Sequence, residues 1–600
     1  MSRAILYGFI FLMVRPALAV ERWVVGDNRR PWSSVGTMIA VDDTTEPGWL
    51  QPINVTGRNV AVGAKERGGW INVSWSQARS SIPLVIDGQA ETFFPSQYLD
   101  HRSGFDITLI VDLGVPFGMD SLSFYTPKGY EDWFLRGYQL LTNPRDEKME
   151  IGELRSSWYL LVKDWNVVAE DLLVLDKTVI GERIPVQVAR YVALSDRINV
   201  SERHWALAEL EVWGVGYPLR AQYTSRVIDL GRPANLGRLR WSGISDPESW
   251  ATIRSRVGRT SDPNIYHKRT GIGPEGQQRV SKADYDRLRP LEQGTIDLDQ
   301  DNWTSWSAPY LSGDEMMISE GPSQYFQFEI LFQSRSPAAR TKIDSLAVEF
   351  SSALAAREIV GEITPAQVTP GQLTTFTYAM RATFESGNRG FDALRVVTPD
   401  RPAVKALTVD GIPVEFDAEV GENGFTMRFP QRRVQKSGEV VEVTFASRVF
   451  VNGTRFLAEV FDTKTEEIPQ RVTPGDASVA VEANDTLVRW AVMRELLLTA
   501  VEVSSGTLTP NGDGINDRVT ISYSLLQALN PVAVTVEMYD LSGSRVWSAK
   551  VPQTVGYYAV AWDGRQDDGE RVPPGIYVYR VVVHAQDGDQ SQIGTIVVVY

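Results

Sequence analysis

Oxygen-bearing side chains crowd one short stretch near the C-terminus. The run Thr509-Pro510-Asn511-Gly512-Asp513-Gly514-Ile515-Asn516-Asp517 sets Asn511, Asp513, Asn516 and Asp517 at the spacing that calcium loops use, with glycines that permit a tight turn. An EF-hand would close on a bidentate Glu at its twelfth position, and no Glu stands there. The other reading, which the sequence favours, is an Asx-rich turn whose side chains bond their own backbone. Catalytic chemistry is harder to place. The four histidines, His101, His204, His267 and His584, are scattered along the chain. No H-E-x-x-H, P-loop, dinucleotide fingerprint or G-x-S-x-G occurs. The 75 acids leave a glycosidase-type carboxylate pair open. No stretch is left over for a catalytic domain, however, so the expectation is a protein that binds or tethers and is not an enzyme.

The elements that position such residues read as β-strands. Short alternating or β-branched runs, such as Ile107 to Leu113, Val440 to Phe445, Val532 to Tyr539 and Tyr577 to His584, are cut by Gly, Pro, Asn and Asp. That pattern predicts an all-β chain of tandem jelly rolls and immunoglobulin-like sandwiches. Leu487 to Val501 could be an amphipathic helix, but Thr and Val frame it and a turn follows, so strands are expected. At about 100–200 residues per domain, 600 residues imply several units. Four are drawn: 48–216, 217–352, 357–477 and 478–600. Within the second, 258–300 reads as a partly mobile loop or an insertion. Alternating Arg254 and Arg256 there read as a solvent face, and Trp303 and Trp306 as core packing in preference to a sugar platform.

The N-terminus reads as a signal peptide over residues 1–19. Arg3 precedes an apolar run from Ala4 to Val14, and Ala17-Leu18-Ala19 supplies the small-residue cleavage pattern. The mature chain would begin at Val20. No later apolar run reaches the length of a membrane-spanning helix. The expected destination is the extracellular space or the cell surface, with the periplasm as the other end point. The formal charge of -15 gives no broad basic footprint for nucleic acid. The absence of cysteine means that large β cores, and not disulfides, must stabilise an exported chain.

Four ordered pieces of the first unit carry a resemblance. They are Leu84-Val85-Ile86-Asp87-Gly88 with Thr92, Ile107 to Gly114, Ala189-Arg190-Tyr191-Val192-Ala193-Leu194, and Ala208-Glu209-Leu210-Glu211-Val212-Trp213-Gly214. Together they resemble the discoidin or coagulation-factor C-type family of galactose-binding-like jelly rolls. The resemblance implies a structural calcium held by Asp87, Thr92 and Glu209. A plain Asp-Gly turn beside a solvated strand Glu is the equal alternative. It also implies glycan recognition by loops at one end of the sandwich, for which Trp70, Trp75, His101 and Arg102 are the candidates.

In the last unit the Asn-Gly-Asp-Gly loop is followed by Met538-Tyr539-Asp540-Leu541-Ser542-Gly543, Trp562-Asp563-Gly564-Arg565, Asp567-Asp568-Gly569 and Pro574-Gly575-Ile576-Tyr577-Val578-Tyr579. This series resembles the immunoglobulin-like domain of flagellar hook-capping proteins and related C-terminal modules of surface proteins in gliding bacteria. In the latter, such modules act as sorting signals for an outer-membrane secretion route. The third unit is a sandwich by pattern alone and reads as a spacer. Two functions follow as expectations. One is a secreted or surface protein whose first unit binds a glycan or surface polysaccharide. The other is a structural or secretion-machinery component that docks on outer-membrane or surface proteins through its last unit.

Overall fold

The structure is a computed structural model. It describes residues 20–27, 29–73, 81–95, 107–149, 165–175, 177–198, 204–271, 273, 276–318, 321–481, 483–491, 496–585 and 588–600. The signal-peptide reading over 1–19 lies outside the described residues. Strands dominate, and the one α-helix among the described residues is the single turn Lys282–Tyr285. Side-chain alternation accounts for this. In Thr341–Ser351, Ile343, Leu346, Val348 and Phe350 point into the core while Lys342, Asp344, Ala347 and Glu349 stay half-exposed. Leu487–Trp490 and Leu498–Val503 are strands, as expected.

The first two units are not laid end to end. One eight-stranded sheet has the path Glu21–Gly26, Thr341–Ser351, Ile228–Ser245, Ser323–Ser334, Arg220–Ser225 and Gly36–Ile39, with Ser249–Gly258 and Asp314–Met316 pairing onto it. Strand Glu21–Gly26 runs antiparallel to Thr341–Ser351, with Glu21 opposite Phe350. The unit drawn as 217–352 therefore also owns residues 20–52. Leu50 still exchanges backbone hydrogen bonds with Ile343, at 2.8 and 2.9 Å, and Glu46 pairs with Arg340 and Lys342 at 2.7 and 2.6 Å. The sequence reading treated 20–47 as a short lead. The sandwich of the first unit is a guest set into this host.

Where the guest departs and returns, its two ends lie side by side. The Val55 N–H donates to the Gly216 carbonyl at 2.8 Å and the Gly57 N–H to the Gly214 carbonyl at 3.0 Å. Gly216 has φ +70, and a β-carbon there would fall 2.0 Å from the Pro337 carbonyl oxygen, so the return needs glycine. The guest's main sheet runs Glu209–Val215, Thr108–Tyr125, Val179–Asp196, Tyr138–Asn143 and Asn166–Asp171, with Trp70–Val73 on Thr108–Tyr125. A continuous apolar cluster passes from Phe117, Leu122 and Val212 in the guest to Tyr223, Phe328 and Leu346 in the host.

The stretch 258–300 carries a three-stranded sheet of its own, Gln277–Val280, Asn264–Arg269 and Gln293–Leu298. Ser281 caps the adjoining helical turn by accepting from the Asp284 N–H at 3.1 Å, and Tyr266 packs against Tyr285 at 5.2 Å. Arg254 and Arg256 are not plainly solvent-facing either. They stack on Trp306 at 5.4 and 4.7 Å, while buried Trp303 donates its indole N–H to the Thr260 carbonyl at 3.0 Å.

The third unit is a sandwich of a six-stranded and a five-stranded sheet around Phe376, Phe445 and Phe456. It extends past the boundary drawn at 477, since Leu487–Trp490 pairs in parallel with Gln367–Val368. The last unit packs a three-stranded sheet on a five-stranded one.

Candidate functional site

The three positions singled out as metal ligands come together. Ile82–Ile86 forms a 3-10 turn that buries Ile82, Val85 and Ile86 and ends at Asp87, after which Gly88 at φ +77 reverses the chain. Phe94–Pro95 then pairs with Ala206–Leu207, which brings Thr92 beside the start of strand Glu209–Val215. The Thr92 hydroxyl lies 3.0 and 2.9 Å from the two Asp87 carboxylate oxygens, 2.9 Å from the Gln89 carbonyl and 3.5 Å from the Leu84 carbonyl. One proton cannot serve four acceptors. The Gln89 N–H is shared between Asp87 Oδ1 at 2.8 Å and Glu209 Oε1 at 2.9 Å.

Glu209 is 1% exposed, and its second oxygen, Oε2, is buried without a hydrogen-bond partner. Burial, and after it the neighbouring Asp87 carboxyl, pushes the Glu209 pKa up to about 8. The cluster therefore holds more acceptors than donors, and a proton or a cation can correct the imbalance. All of its donor atoms are hard oxygens from carboxylate, hydroxyl and carbonyl groups, the set calcium prefers. Asp87, Thr92 and Glu209 thus fit the ion, with the Leu84 and Gln89 carbonyls as neighbours the sequence reading missed. Backbone carbonyls leave no trace in residue type, so only the turn geometry reveals them.

The expected sugar-binding residues are placed less completely. Trp75, His101 and Arg102 lie outside the described residues. Trp70 is half-buried on the strand beside Thr108–Tyr125, its ring 6.3 Å from that of Tyr191 in a small cluster with Ile110, Leu141 and Met149. Its indole N–H is buried without a partner. The structure thus uses Trp70 to cover that face of the sheet.

The C-terminal acidic loop behaves differently. Asp517 accepts from the Gly512 and Gly514 N–H groups at 2.6 and 2.7 Å, Asn511 from the Asp513 N–H at 3.0 Å, and Asp513 from the Ile515 N–H at 2.8 Å. These donors hold Asp517 below the usual carboxylate range. The loop is exposed and its carboxylates are bonded to its own backbone, as the Asx-turn reading has it.

Residues 501–598 match the model of the CHU_C type IX secretion signal domain. The chain is exported. The match falls on the unit that resembled C-terminal modules of gliding bacteria, and it names no hook-capping protein. Among the described residues no helix is long and apolar enough to cross a membrane. No curated protein matches the chain. Several solved carbohydrate-binding modules are similar to a part of it. A family 32 module from Clostridium perfringens, solved with GalNAc-β-1,3-galactose, is 15% identical over 25% of this chain and 97% of that one, with a TM-score of 0.19. Another from that organism, solved with galactose, is 14% identical over 25% and 96%, with a TM-score of 0.20. A chitosan-binding module from a Paenibacillus chitosanase/glucanase is 15% identical over 26% and 99%, with a TM-score of 0.20.

Proposed function

We propose that the exported protein is a non-catalytic glycan-binding protein whose guest sandwich takes a sugar or surface polysaccharide and is braced by calcium at Asp87, Thr92 and Glu209. The observation that carries this reading is the buried, unpartnered Glu209 oxygen facing Asp87 and Thr92, at the three positions the galactose-binding-like resemblance singles out. When bound, the ion supplies the positive charge that lets Asp87 and Glu209 ionise together. Thr92 and the turn at Gly88 then hold the 82–95 segment against strand Glu209–Val215. By residue type, Trp75, His101 and Arg102 would supply an aromatic face and polar groups suited to a pyranose ring. Glycan-array binding of the mature chain, with calcium and with chelator, tests the proposal. Binding to a defined set of glycans that weakens on chelation is expected, and an array blank under both conditions defeats it.

The last unit supports a second role, in delivery. It acts as an export address that docks on the outer-membrane secretion apparatus, and the family match over 501–598 favours this. Deleting those residues should leave the chain inside the producing cell. Undiminished release would exclude that role and leave the glycan reading untouched.

A further inference from the structure

We propose that the seam between the guest sandwich and its host binds a small organic anion, of the size of one acidic sugar ring, through Arg67, Arg190, Arg220 and Arg254. The seam carries a half-open recess of about 250 Å³ between the two units, walled by these arginines together with Asp146 and Glu329. Arg67 and Arg190 come from the guest, and Arg220, Arg254 and Glu329 from the host. A ligand here would touch both.

The charges on the wall do not cancel. Arg190 is held by buried Asp112 through bonds of 2.8 and 3.1 Å. Arg220 reaches Asp146 at 2.7 Å, and Arg254 pairs with Glu329, which also accepts from Gln222 at 2.6 Å. Three cations thus meet three carboxylates. Arg67 is left over, with no carboxylate within ion-pair range among the described residues. Its Nε donates to the Leu113 carbonyl at 3.0 Å, and its two terminal nitrogens donate to the Val62 carbonyl at 3.1 Å and to the Val60 carbonyl. Two of its five N–H groups remain. Burial pulls its pKa down to about 10, more than the charges of nearby Glu66 and Asp112 restore. The Gly114 backbone runs against it, since a β-carbon at Gly114 would lie 2.7 Å from the Arg67 Cβ.

Arg67 is half-buried, and a partly desolvated cation gains from a paired anion; its forked guanidinium suits the two oxygens of a carboxylate or a sulfate. An oxyanion in the recess supplies the missing negative charge. In a chain with a formal charge of -15, such a positive recess also stands out as a local trap for anions.

Calorimetric titration of the mature chain at matched ionic strength tests this with galacturonate, galactose 6-sulfate and galactose. Either anion should bind and raise the melting temperature, the better one identifying carboxylate or sulfate as the preferred group, while galactose should not do so through this site. Arg67→Met should abolish that binding. Should it fail to fold, Arg254→Gln, at a more exposed position, should weaken binding about tenfold, as loss of one charge-assisted hydrogen bond does. Asp87→Ala should leave it unchanged, which separates this site from the calcium cluster. Anions that act no better than galactose, or binding that survives both arginine substitutions, would overturn the proposal.

Discussion

Two acid-bearing turns of this chain look alike on paper and differ in what surrounds them. In the 509–517 loop Asp513 is exposed and Asp517 half-exposed, and both spend oxygens on the adjacent backbone N–H groups. At Asp87 the partner acid comes from a strand 122 residues away, is buried, and keeps one oxygen unmatched. Water competes for the first set and is shut out from Glu209 in the second. Acid count and spacing therefore say little about cation binding, while desolvation and a shortage of donors say much.

The widest separation between the two turns should come from calcium itself. Calcium at a hundredfold its Kd stabilises a folded-state site by about 2.7 kcal/mol, so the guest's melting transition should rise by several degrees. Asp87→Ala should erase that rise and Asp513→Ala should leave it intact, as calorimetric scans of the mature chain can report. A rise that persists in Asp87→Ala would collapse the comparison.

Acidity offers the next lever. With chelator present, Glu209 holds a proton up to about pH 8 in the folded chain and loses it near its ordinary value when unfolded. The folded state then binds more protons between those limits, so the contribution of Glu209 to stability is full at pH 4.5 and below and is lost as pH climbs through 8. For one proton the steepest slope is about 1.4 kcal/mol per pH unit. Melting scans at stepped pH should show this fall, and Glu209→Gln should flatten it. A smaller change is expected from Thr92→Val, which removes one oxygen ligand and should weaken calcium binding about tenfold by titration while leaving the fold in place. The smallest belongs to the exposed loop. Asp517→Asn should speed amide exchange at Gly512 and Gly514 without altering the melting of any other unit, and calcium should make no difference to it.

Much of this was legible in residue types. Alternation in runs such as Ile107 to Leu113 exposes the β class because a pleated strand has a period of two. Asp87, Thr92 and Glu209 were legible through ordered motifs, although no local pattern says that they meet. The insertion was not legible. The pairing of Glu21–Gly26 with Thr341–Ser351 spans more than 300 residues, and hydrogen bonds between distant strands leave no mark on either stretch beyond ordinary alternation. Arg67 was missed for a related reason. In Ala64-Lys65-Glu66-Arg67-Gly68-Gly69 it reads as one of a run of solvated charges, and only the fold lays it under Gly114 and against the host.

The interleaving of the N-terminal strand with residues 341–351 sets an order of assembly. A chain emerging N-terminus first delivers Glu21–Gly26 long before its partner strand exists, while the guest, with its own ends adjacent, is already whole. The host must close around a finished neighbour, so its completion is a late, long-range event of the slow kind. Until residue 351 arrives, the apolar side of the first strand, with Trp23 and Val25, has no cover and is a point at which a partly made chain is vulnerable to mispairing. A fragment cut at 217 would lose two strands of the eight-stranded host sheet outright, whereas one cut at 55 and 215 removes the guest at its natural neck.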